Sequence, residues 1–469
     1  MKIIGRQYEL SEFEKIKSSS KSEFVAVYGR RRVGKTFLIR HAFHNDFTFH
    51  FTGLSNAKLD DQLKNFNTQL SKKYAFKKGV EPATNWLEAF EHLIDYLSKQ
   101  RTKKKTIFID ELPWLATSQS KFIIALEYFW NHWASARKDI VLVVCGSAAS
   151  WMIQHLLKNK GGLHNRVTNR MKVNPFTLAE CESFLKDKHF SISRYEITQL
   201  YMSLGGIPFY LDMLDKSKSV AQNINHLCFS KEGPLRKEFD ELYASLFKSP
   251  EKYKAVIEAL SKKAKGLTRT ELLKLSKLSS AGSTTRILEE LEESGFITKY
   301  MSYEKNERDA LFQLTDFYSN FYFKHIKKAS VLDKNYWFNA MDSNAYKTWC
   351  GYAFEQVCLY HIDEIKKALG ISGVSTNSAS WQNKNAQIDL LIDRNDYIIN
   401  ICEMKFSINE FTIDKNYFSN LNRKIDEFKQ ASKTKKAVHL IMITANDVKK
   451  NQYSNIIMQQ NINLDSLFQ

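Results

Sequence analysis

The sequence predicts an α/β protein in which a parallel-sheet domain comes first and smaller units follow. Three apolar, strand-like runs at 24–28, 106–109 and 139–145 each lead into polar residues and then a helical pattern, which is typical of a parallel sheet covered by helices. Farther along, short amphipathic helices and two apolar runs around a polar turn predict other folds. At 469 residues the chain has room for about three domains with cores of their own.

The composition indicates a folded protein of the cytoplasm. Hydrophobic residues make up 43% of the chain, which excludes a disordered protein, and the opening MKIIGRQYEL lacks the apolar stretch of a signal peptide. The longest weakly charged run, IVLVVCGSAASWMIQHLL, is broken by polar residues, so we expect no membrane span. Six cysteines without a CxxC spacing indicate reduced thiols.

The net charge of +18 is unevenly distributed. Residues 331–469 hold 16 Lys and Arg against 15 Asp and Glu, so almost all of the excess lies in the first 330 residues. Excess positive charge favours a polyanionic partner such as nucleic acid, or serves only solubility. Any affinity for nucleic acid is therefore expected in the front two-thirds of the chain.

The stretch FVAVYGRRRVGKTFLIRHAF is the strongest functional signal. An apolar strand runs into a glycine-rich turn that ends in Gly-Lys-Thr, and a helix follows. Glycines let backbone N–H groups surround phosphate oxygens, the lysine can reach the β- and γ-phosphates, and the threonine hydroxyl can bind Mg²⁺. We therefore predict a P-loop that binds ATP, formed by Gly29, Arg30, Arg31, Arg32, Val33, Gly34, Lys35 and Thr36.

The second element of a nucleotide site follows in TIFIDELPWL. The strand TIFI ends in Asp110 and Glu111. After a P-loop, an acid at this position can hold Mg²⁺ through water, and the next acid can polarise the attacking water. We assign Asp110 to the metal and Glu111 to catalysis, and a strand followed by an acidic helix cap is the alternative interpretation.

More polar residues follow the third strand. Ser147 stands at a strand-to-helix junction, where it either senses the γ-phosphate or caps the helix. Arg166 and Arg170 precede another strand, and either could stabilise transition-state charge as an arginine finger, in its own site or in that of a second copy. Two ordinary solvated arginines are the alternative.

In their order, IGRQYEL, YGRRRVGKTF, FIDELPWL, VVCGSAASWM, NRVTNRMKVNPF and LGGIPFYL resemble the archaeal-type ATPase family, over roughly residues 3–240. That family is an AAA+-like, STAND-related branch of the P-loop ATPases. The resemblance implies that Gly5, Arg6 and Glu9 lie beside the adenine end of the site and that Arg166 belongs to the nucleotide-binding elements. It also implies a lid-domain helix that begins at GGIPFYL.

Residues 250–320 predict three helices followed by two strands around a charged turn. This order resembles a winged helix, which STAND-related ATPases often carry here. It would place Ser280 to Arg286 at the tip of a helix able to enter a DNA major groove. Four glutamates farther along that helix weaken direct base reading, and a role as a protein-binding or lid module is the alternative.

The stretch QIDLLIDRNDYIINICEMKFS predicts a β-hairpin with charges at its open end. Strand alternation puts Glu403 and Lys405 on one face, and folding back at the turn brings them towards Asp389. An amphipathic helix upstream carries Glu355. Such groups suit metal-dependent phosphodiester hydrolysis: the three carboxylates would bind Mg²⁺ or Mn²⁺, and Lys405 would orient water or neutralise the phosphate.

The helix–strand–strand order of GYAFE, QIDLLID and ICEMK resembles the PD-(D/E)XK nuclease superfamily over roughly residues 345–450, although Ile388 stands where that name has proline. The resemblance implies a nuclease-like fold with these acids and the lysine as catalytic groups, and inactive members of the superfamily exist. The helix that follows offers three cations either to a phosphate backbone or, as an ordinary solvated face, to water: Arg423, Lys424 and Lys429.

Together these patterns predict a P-loop NTPase domain at 1–175, a helical lid at 176–245, a winged-helix unit at 246–330 and a PD-(D/E)XK-like α/β domain at 331–469. The leading hypothesis is a protein that hydrolyses ATP and couples its nucleotide state to DNA binding and metal-dependent cleavage. The alternative is a STAND-like switch that binds a protein partner and keeps the nuclease-like domain as an inactive scaffold. A transcriptional regulator is a third hypothesis, and a homo-oligomer is compatible with each.

Overall fold

The computed structural model describes residues 3–73, 81–117, 119–158, 161–279, 282–305, 309–330, 333 and 335–469. The chain divides into two compact units, Met1–Pro175 and Phe176–Gln469.

The first unit is built on a five-stranded sheet in which every strand pair is parallel. The strand order is β2-β3-β4-β1-β5. Because both faces of the three central strands are covered, their residues form nearly continuous buried apolar runs, as the sequence predicts for a parallel sheet. The strands are β1 (Glu23–Tyr28), β2 (Phe49–Thr52), β3 (Lys105–Asp110), β4 (Ile140–Gly146) and β5 (Asn169–Lys172).

Helices connect these strands and bury an aromatic core against the sheet. Trp86, Phe66 and Phe122 are fully buried, and the Trp86 ring contacts both phenylalanine rings edge to face. π-helical turns, 129–134 and 153–157, extend two of the helices. The helices are α1 (Gln7–Ser18), α2 (Lys35–Ala42), α3 (Leu59–Ser71), α4 (Trp86–Ser98), α5 (Leu112–Leu115), α6 (Phe122–Tyr128) and α7 (Ala149–Met152).

The second unit begins with a group of helices. Capping boxes at Thr177 and Ser193 satisfy the first N–H groups of two of them, which fixes where each begins. A β-carbon at Gly206 would lie 1.9 Å from the Phe176 carbonyl oxygen, so the chain can pass there only with glycine. The helices are α8 (Leu178–Asp187), α9 (Arg194–Leu204), α10 (Pro208–Asp212), α11 (Val220–Ile224) and α12 (Glu238–Leu246).

A three-helix segment with a small antiparallel sheet comes next. Its strands lie in the order β6-β8-β7, and its helices pack apolar faces such as Leu272 and Ile287 into a buried core. Ser280, the expected start of the third helix, lies outside the described residues. The elements of this three-helix segment are α13 (Pro250–Ser261), β6 (Leu267–Thr268), α14 (Arg269–Ser276), α15 (Gly282–Glu293), β7 (Ile297–Tyr300) and β8 (Leu311–Leu314). Helix α16 (Phe317–Lys324) follows it.

The last part of the chain forms a five-stranded mixed sheet in the order β13-β12-β11-β10-β9. The pair β10/β11 is antiparallel, as the hairpin pattern predicts. The pair β9/β10 is also antiparallel, whereas β11/β12 and β12/β13 are parallel. The strands are β9 (Thr376–Gln382), β10 (Gln387–Arg394), β11 (Ile398–Lys405), β12 (Ala437–Thr444) and β13 (Met458–Asn463). The helices are α17 (Tyr336–Met341), α18 (Asn344–Tyr360), α19 (Ile362–Ala368), α20 (Lys415–Ser432) and α21 (Gln452–Ile457).

All six cysteines carry free thiols and are buried in these cores. Among the helices that the structure describes, none combines the length and the apolar character that a membrane crossing requires.

Candidate functional site

Two glycines shape the loop between β1 and α2, and each is required for a different reason. Gly29 has φ 148°, and a β-carbon there would come within 2.3 Å of the Val173 carbonyl oxygen. Gly34 has open space around it but adopts φ 87° at the start of α2, a left-handed conformation that favours glycine. The loop therefore bends tightly and leaves the start of the helix clear, as phosphate binding requires.

Lys35 is buried at the first position of α2. Its Nζ donates hydrogen bonds to the carbonyl oxygens of Gly29 and Arg30, at 3.0 and 2.8 Å. Burial lowers the pKa of Lys35. Since these partners are neutral carbonyl groups, the ammonium can turn to a phosphate without breaking a hydrogen-bonded ion pair.

Thr36 and Asp110 meet although 74 residues separate them. The Thr36 hydroxyl donates to Oδ2 of Asp110 at 2.9 Å, and Asp110 is the last, buried residue of β3. The parallel sheet causes this contact, because it brings the C-terminal ends of β1 and β3 to one edge. A hydroxyl and a carboxylate side by side are ligands that fit Mg²⁺, so the two residues suit the metal of a bound nucleotide.

Glu111 and Ser147 form the second acid contact of this edge. Oε2 of Glu111 accepts hydrogen bonds from the Ser147 hydroxyl at 2.9 Å and from its backbone N–H at 3.2 Å. The carboxylate is therefore held at the strand ends beside Asp110. The interpretation of Ser147 as a helix cap is wrong, because the capping position of α7 is Ala148. Sensing of the γ-phosphate stays a prediction.

Arginines surround the loop in different ways. Arg6 donates to the Val33 carbonyl at 3.2 Å and pairs with Glu9 at 3.5 Å, so the N-terminal motif contacts the phosphate loop directly. The Arg30 side chain is buried. Arg166, in the turn before β5, and Arg170, in β5, are both exposed, and a finger role for either stays a prediction.

Comparison with known proteins agrees with this geometry. Residues 4–214 match a family described as an ATPase domain predominantly from Archaea. The front of the chain is an ATP-binding domain of the ATPase type. The match extends beyond the first unit into the helices at the start of the second.

Related proteins include two from Methanocaldococcus jannaschii. MJECL04, an uncharacterised protein, is 26% identical over 404 residues, which are 83% of this chain and 84% of that protein. MJ1659, an uncharacterised ATP-binding protein, is 24% identical over 291 residues, 52% of this chain and 79% of that one. Among solved structures, the Walker-type ATPase PABY2304 of Pyrococcus abyssi has a similar fold, with a TM-score of 0.50 and 16% identity over 68% of this chain and 95% of its own.

A second cluster of charges lies in the mixed sheet of the second unit. Glu403, buried near the end of β11, is contacted by Lys405 Nζ at 3.0 Å and by Lys424 Nζ at 2.7 Å. The Tyr417 hydroxyl also donates to it. Burial favours the neutral form of Glu403, but the two lysines outweigh it and hold the pKa of Glu403 at about 2.

Asp389 lies at the start of β10 and has other partners. The Gln387 side-chain amide donates to its Oδ1, and Lys265 Nζ lies 3.7 Å from the same oxygen. Lys265 precedes β6 and therefore comes from the three-helix segment. Sequence patterns gave no sign of it, since 124 residues separate the two charges along the chain and neither belongs to a shared motif.

Glu355 completes the cluster from α18. Burial, and to a smaller extent the nearby charge of Asp389, raise the pKa of its carboxyl to about 8. The structure thus brings together the residues that the sequence predicted for this site, Glu355, Asp389, Glu403 and Lys405. We call these four, with Lys265 and Lys424, the acid–lysine cluster.

Lys424 corrects the interpretation of α20. A solvated helix face was expected to carry it. Its ammonium instead contacts Glu403, because α20, which connects β11 to β12 along the chain, packs on the mixed sheet. Arg423 and Lys429 are exposed on the same helix, so a phosphate contact by these two stays a prediction. Tyr417 was missed because a tyrosine at the start of an amphipathic helix is indistinguishable from a packing residue.

The acid–lysine cluster has the chemistry of a divalent-cation site but not yet its arrangement. Carboxylate oxygens fit Mg²⁺ or Mn²⁺. However, among the residues that the structure describes, no three His, Cys, Asp or Glu side chains form a group that could hold a metal ion. Both oxygens of Glu403 accept hydrogen bonds, so a cation would have to compete with lysines.

The predicted recognition helix is α15, of which residues 282–293 are described. Arg286 is 64% exposed, and its Nε donates to Glu290 at 2.8 Å on the same helix. Glu290 also accepts a hydrogen bond from the Tyr253 hydroxyl, so this glutamate serves the core of the segment. One of the glutamates that weaken the DNA-binding interpretation is therefore structural.

Proposed function

We propose that this ATPase-type protein couples the nucleotide state of its first unit to DNA binding and metal-dependent phosphodiester cleavage by its second unit. The observation that carries the proposal is the convergence of Glu355, Asp389, Glu403 and Lys405 at one place on a mixed sheet, in a chain that also contains an ATPase domain. The proposal has three parts: ATP hydrolysis, DNA binding and phosphodiester cleavage. Each part is supported by separate observations and can fail separately.

The ATPase part of the proposal rests on how the strand ends hold their side chains. Lys35 would neutralise charge on the β- and γ-phosphates, while Thr36 and Asp110 would hold Mg²⁺, which stabilises the charge of the transferred phosphoryl group. Glu111 is the base that orients the attacking water, and Ser147 keeps its carboxylate in position. Hydrogen bonds to Thr36 and Ser147 fix the positions of the Asp110 and Glu111 carboxylates at the strand ends.

The DNA-binding part of the proposal is supported by the order of the helices and strands and by the distribution of charge. The series α13–β6–α14–α15–β7–β8, with a three-stranded antiparallel sheet, agrees with a winged-helix arrangement. Nearly all of the net charge of +18 lies in the first 330 residues, which include this segment. Arg286 is a candidate contact, because its side chain is 64% exposed beside Glu290.

The cleavage part of the proposal is supported by the order α18–β9–β10–β11–α20–β12, which agrees with a PD-(D/E)XK-like core. Asp389, Glu403 and Glu355 would hold Mg²⁺ or Mn²⁺, a cation that would activate water and stabilise phosphorane charge. Lys405 is 31% exposed and could neutralise a non-bridging phosphate oxygen. Its ammonium lies over the Tyr417 ring, with Nζ 5.0 Å from the ring centroid, which limits where the charge can go.

The experiment is a cleavage assay on supercoiled and linear DNA with Mg²⁺ and then Mn²⁺, with and without ATP. The site variant is Asp389→Asn, because Glu403 is buried in an ion-paired network and its loss would disturb the fold. Asp363→Asn is the matched control, since Asp363 is 96% exposed on α19. We expect cleavage by the wild type and the control but not by Asp389→Asn, and ATP dependence that Lys35→Ala removes.

A nucleotide-operated switch that binds a protein partner is the second candidate. One observation favours it: lysines already pair with two acids of the acid–lysine cluster, Glu403 and Asp389. Such a cluster would serve as a scaffold. Tight nucleotide retention, slow turnover that DNA does not stimulate, and no cleavage in any condition would support the switch and overturn the nuclease.

A further inference from the structure

Lys265 joins the acid–lysine cluster from outside the mixed sheet. It lies in the short connection between α13 and β6, whereas its partner Asp389 lies near the start of β10. Its charge also lowers the pKa of Glu355, as the charge of Lys405 does. Lys405 and Lys424 pair with Glu403, whereas Lys265 pairs with Asp389, the carboxylate that a divalent cation would share with Glu355.

The connection that carries Lys265 has a defined shape. Gly266 has φ 83°, and a β-carbon there would lie 2.6 Å from the Phe312 carbonyl oxygen, so the loop lies tightly against β8. The Tyr300 hydroxyl donates to the Lys265 carbonyl. The backbone of Lys265 therefore moves with the small antiparallel sheet, and the position of its ammonium depends on how that sheet sits on the mixed sheet.

A second contact, just after β7, fastens the two sheets together. Ser302 forms a β-bridge with Ser380 on the edge strand β9, and the Tyr303 N–H donates to the Ser380 carbonyl at 2.7 Å. The Tyr303 ring packs edge to face on Phe428 of α20, with centroids 5.5 Å apart. A buried hydrogen bond from the Gln356 side chain of α18 to the Leu314 carbonyl, at the end of β8, adds to these contacts. Withdrawal of the small sheet from the mixed sheet would have to break the bridge, the ring contact, this hydrogen bond and the Lys265–Asp389 ion pair.

We propose that Lys265 is an internal counter-ion that holds the cation position between Asp389 and Glu355, and that the three-helix segment must withdraw before a divalent cation can bind. This regulation rests on the proposed metal-dependent function of the same cluster. The ammonium and the divalent cation compete for one carboxylate pair, and each excludes the other by charge repulsion. A DNA-binding segment placed in this way would link its own engagement to the opening of the site.

The first test measures Mn²⁺ binding by calorimetry on the full chain without nucleotide. Binding that Asp389→Asn removes is assigned to the acid–lysine cluster. Lys265→Ala is expected to bind Mn²⁺ at this site about tenfold more tightly than the wild type, because a competing charge at short range is gone. Lys263→Ala is the matched control, since Lys263 lies two residues away and pairs instead with Glu271 at 3.0 Å.

The second test locks the contact. Neighbouring paired strands lie about 4.7–4.9 Å apart, which is within the Cα–Cα range of a disulfide, so Ser302→Cys with Ser380→Cys should cross-link on oxidation. The oxidised form is expected to lose measurable Mn²⁺ binding at the cluster, and reduction is expected to restore it. Combined with Lys265→Ala, the lock should no longer prevent binding, because the counter-ion is absent.

The outcomes separate this inference from the proposed function. Equal Mn²⁺ affinity in the wild type and Lys265→Ala, or full binding in the oxidised lock, would overturn the counter-ion role while leaving the metal site intact. Absence of Mn²⁺ binding in every variant would overturn the metal site itself and the inference with it. Tighter binding in Lys265→Ala alone, lost on cross-linking only when Lys265 is present, is the supporting result.

Discussion

The phosphate loop and the acid–lysine cluster both gather lysine and carboxylate side chains at strand ends, but they satisfy the lysine differently. Lys35 is hydrogen-bonded by the backbone carbonyls of Gly29 and Arg30. In the cluster, Lys405 and Lys424 are held by Glu403, a buried carboxylate. The first arrangement leaves a positive charge ready for an anionic ligand, and the second neutralises its charges internally.

This difference explains why the lysine of the phosphate loop is available to an anionic ligand, whereas two lysines of the acid–lysine cluster are already paired with a carboxylate. Exchanging a carbonyl partner for a phosphate strengthens the interaction of the Lys35 ammonium. Opening the cluster requires the separation of opposite charges in a partly buried setting. The free energy of this separation is unfavourable unless another cation replaces the lysine. We therefore expect substitutions in the phosphate loop to affect mainly ATP turnover and substitutions in the cluster to affect mainly the free energy of unfolding.

The largest expected effect is on the phosphate loop. Lys35→Ala should lower ATP turnover by about a hundredfold or more, since it removes a charge-stabilising donor from a buried site. Phosphate release measures it, and a melting curve checks the fold. Lys64→Ala, on the exposed side of α3, should leave turnover unchanged. Turnover that survives in Lys35→Ala would remove the basis of the comparison.

The next largest effect concerns the stability of the cluster. Glu403→Gln should lower the free energy of unfolding by about 3 kcal/mol, because Lys405 and Lys424 would lose their buried anion. Urea unfolding followed by tryptophan fluorescence measures the loss. Glu427→Gln on the same helix as Lys424 is the control, as Glu427 accepts exposed amide hydrogen bonds from Asn383 and Asn385.

An unchanged unfolding midpoint in Glu403→Gln would mean that the lysines are not anchored by this acid. The cluster would then be as open as the phosphate loop, and the contrast between the two sites would disappear. A double-mutant cycle with Lys424→Met measures the coupling itself, which should exceed the coupling of an exposed pair.

A third prediction uses pH on the second unit. His361 is fully buried; its Nε2 accepts the Leu178 N–H at 3.0 Å, and Nδ1 donates to the Val357 carbonyl at 2.8 Å. Burial lowers the pKa of His361 to about 4. The unfolded chain takes up a proton near pH 6.5 and the folded chain only near pH 4, so stability falls as the pH drops through that window, by about 3 kcal/mol for this residue.

Urea unfolding between pH 7 and 4.5 checks this dependence. His361→Gln, which keeps one acceptor and one donor, should flatten the loss of stability, whereas His226→Gln, at an exposed position, should not. An unaltered slope in His361→Gln would show that the histidine does not stay neutral in the fold. The ATPase domain should follow a different pH profile, which sharpens the contrast between the units.

The smallest expected effect separates the two roles of Ser147. If the hydroxyl positions Glu111, Ser147→Ala should lower kcat about fivefold and leave KM for ATP unchanged, because the Ser147 N–H still binds the carboxylate. If it senses the γ-phosphate, KM should rise as well. Ser135→Ala, at an exposed position after α6, is the control for both measurements.

How far the sequence predicts each site depends on how far apart its residues lie. The residues of the phosphate loop are contiguous and lie between a strand and a helix, so their roles follow from the motif. Glu403 and Lys405 share a face through strand alternation alone, and the 3.0 Å contact between them agrees with it. The helix-cap interpretation of Ser147 failed because the hydroxyl turns to an acid from the neighbouring strand end.

The sequence by itself determined the parallel-sheet ATPase domain, the hairpin and the identity of the acids, since local spacing and side-chain chemistry decide these. Only the tertiary structure decided that Lys424 points at Glu403 and that Lys265 reaches Asp389. Such contacts depend on how helices and sheets pack, across 21 residues for Lys424 and Glu403 and across 124 for Lys265 and Asp389. A solvated lysine and a counter-ion have the same local pattern. Packing, which no short stretch encodes, brings the lysines to the acids of the cluster.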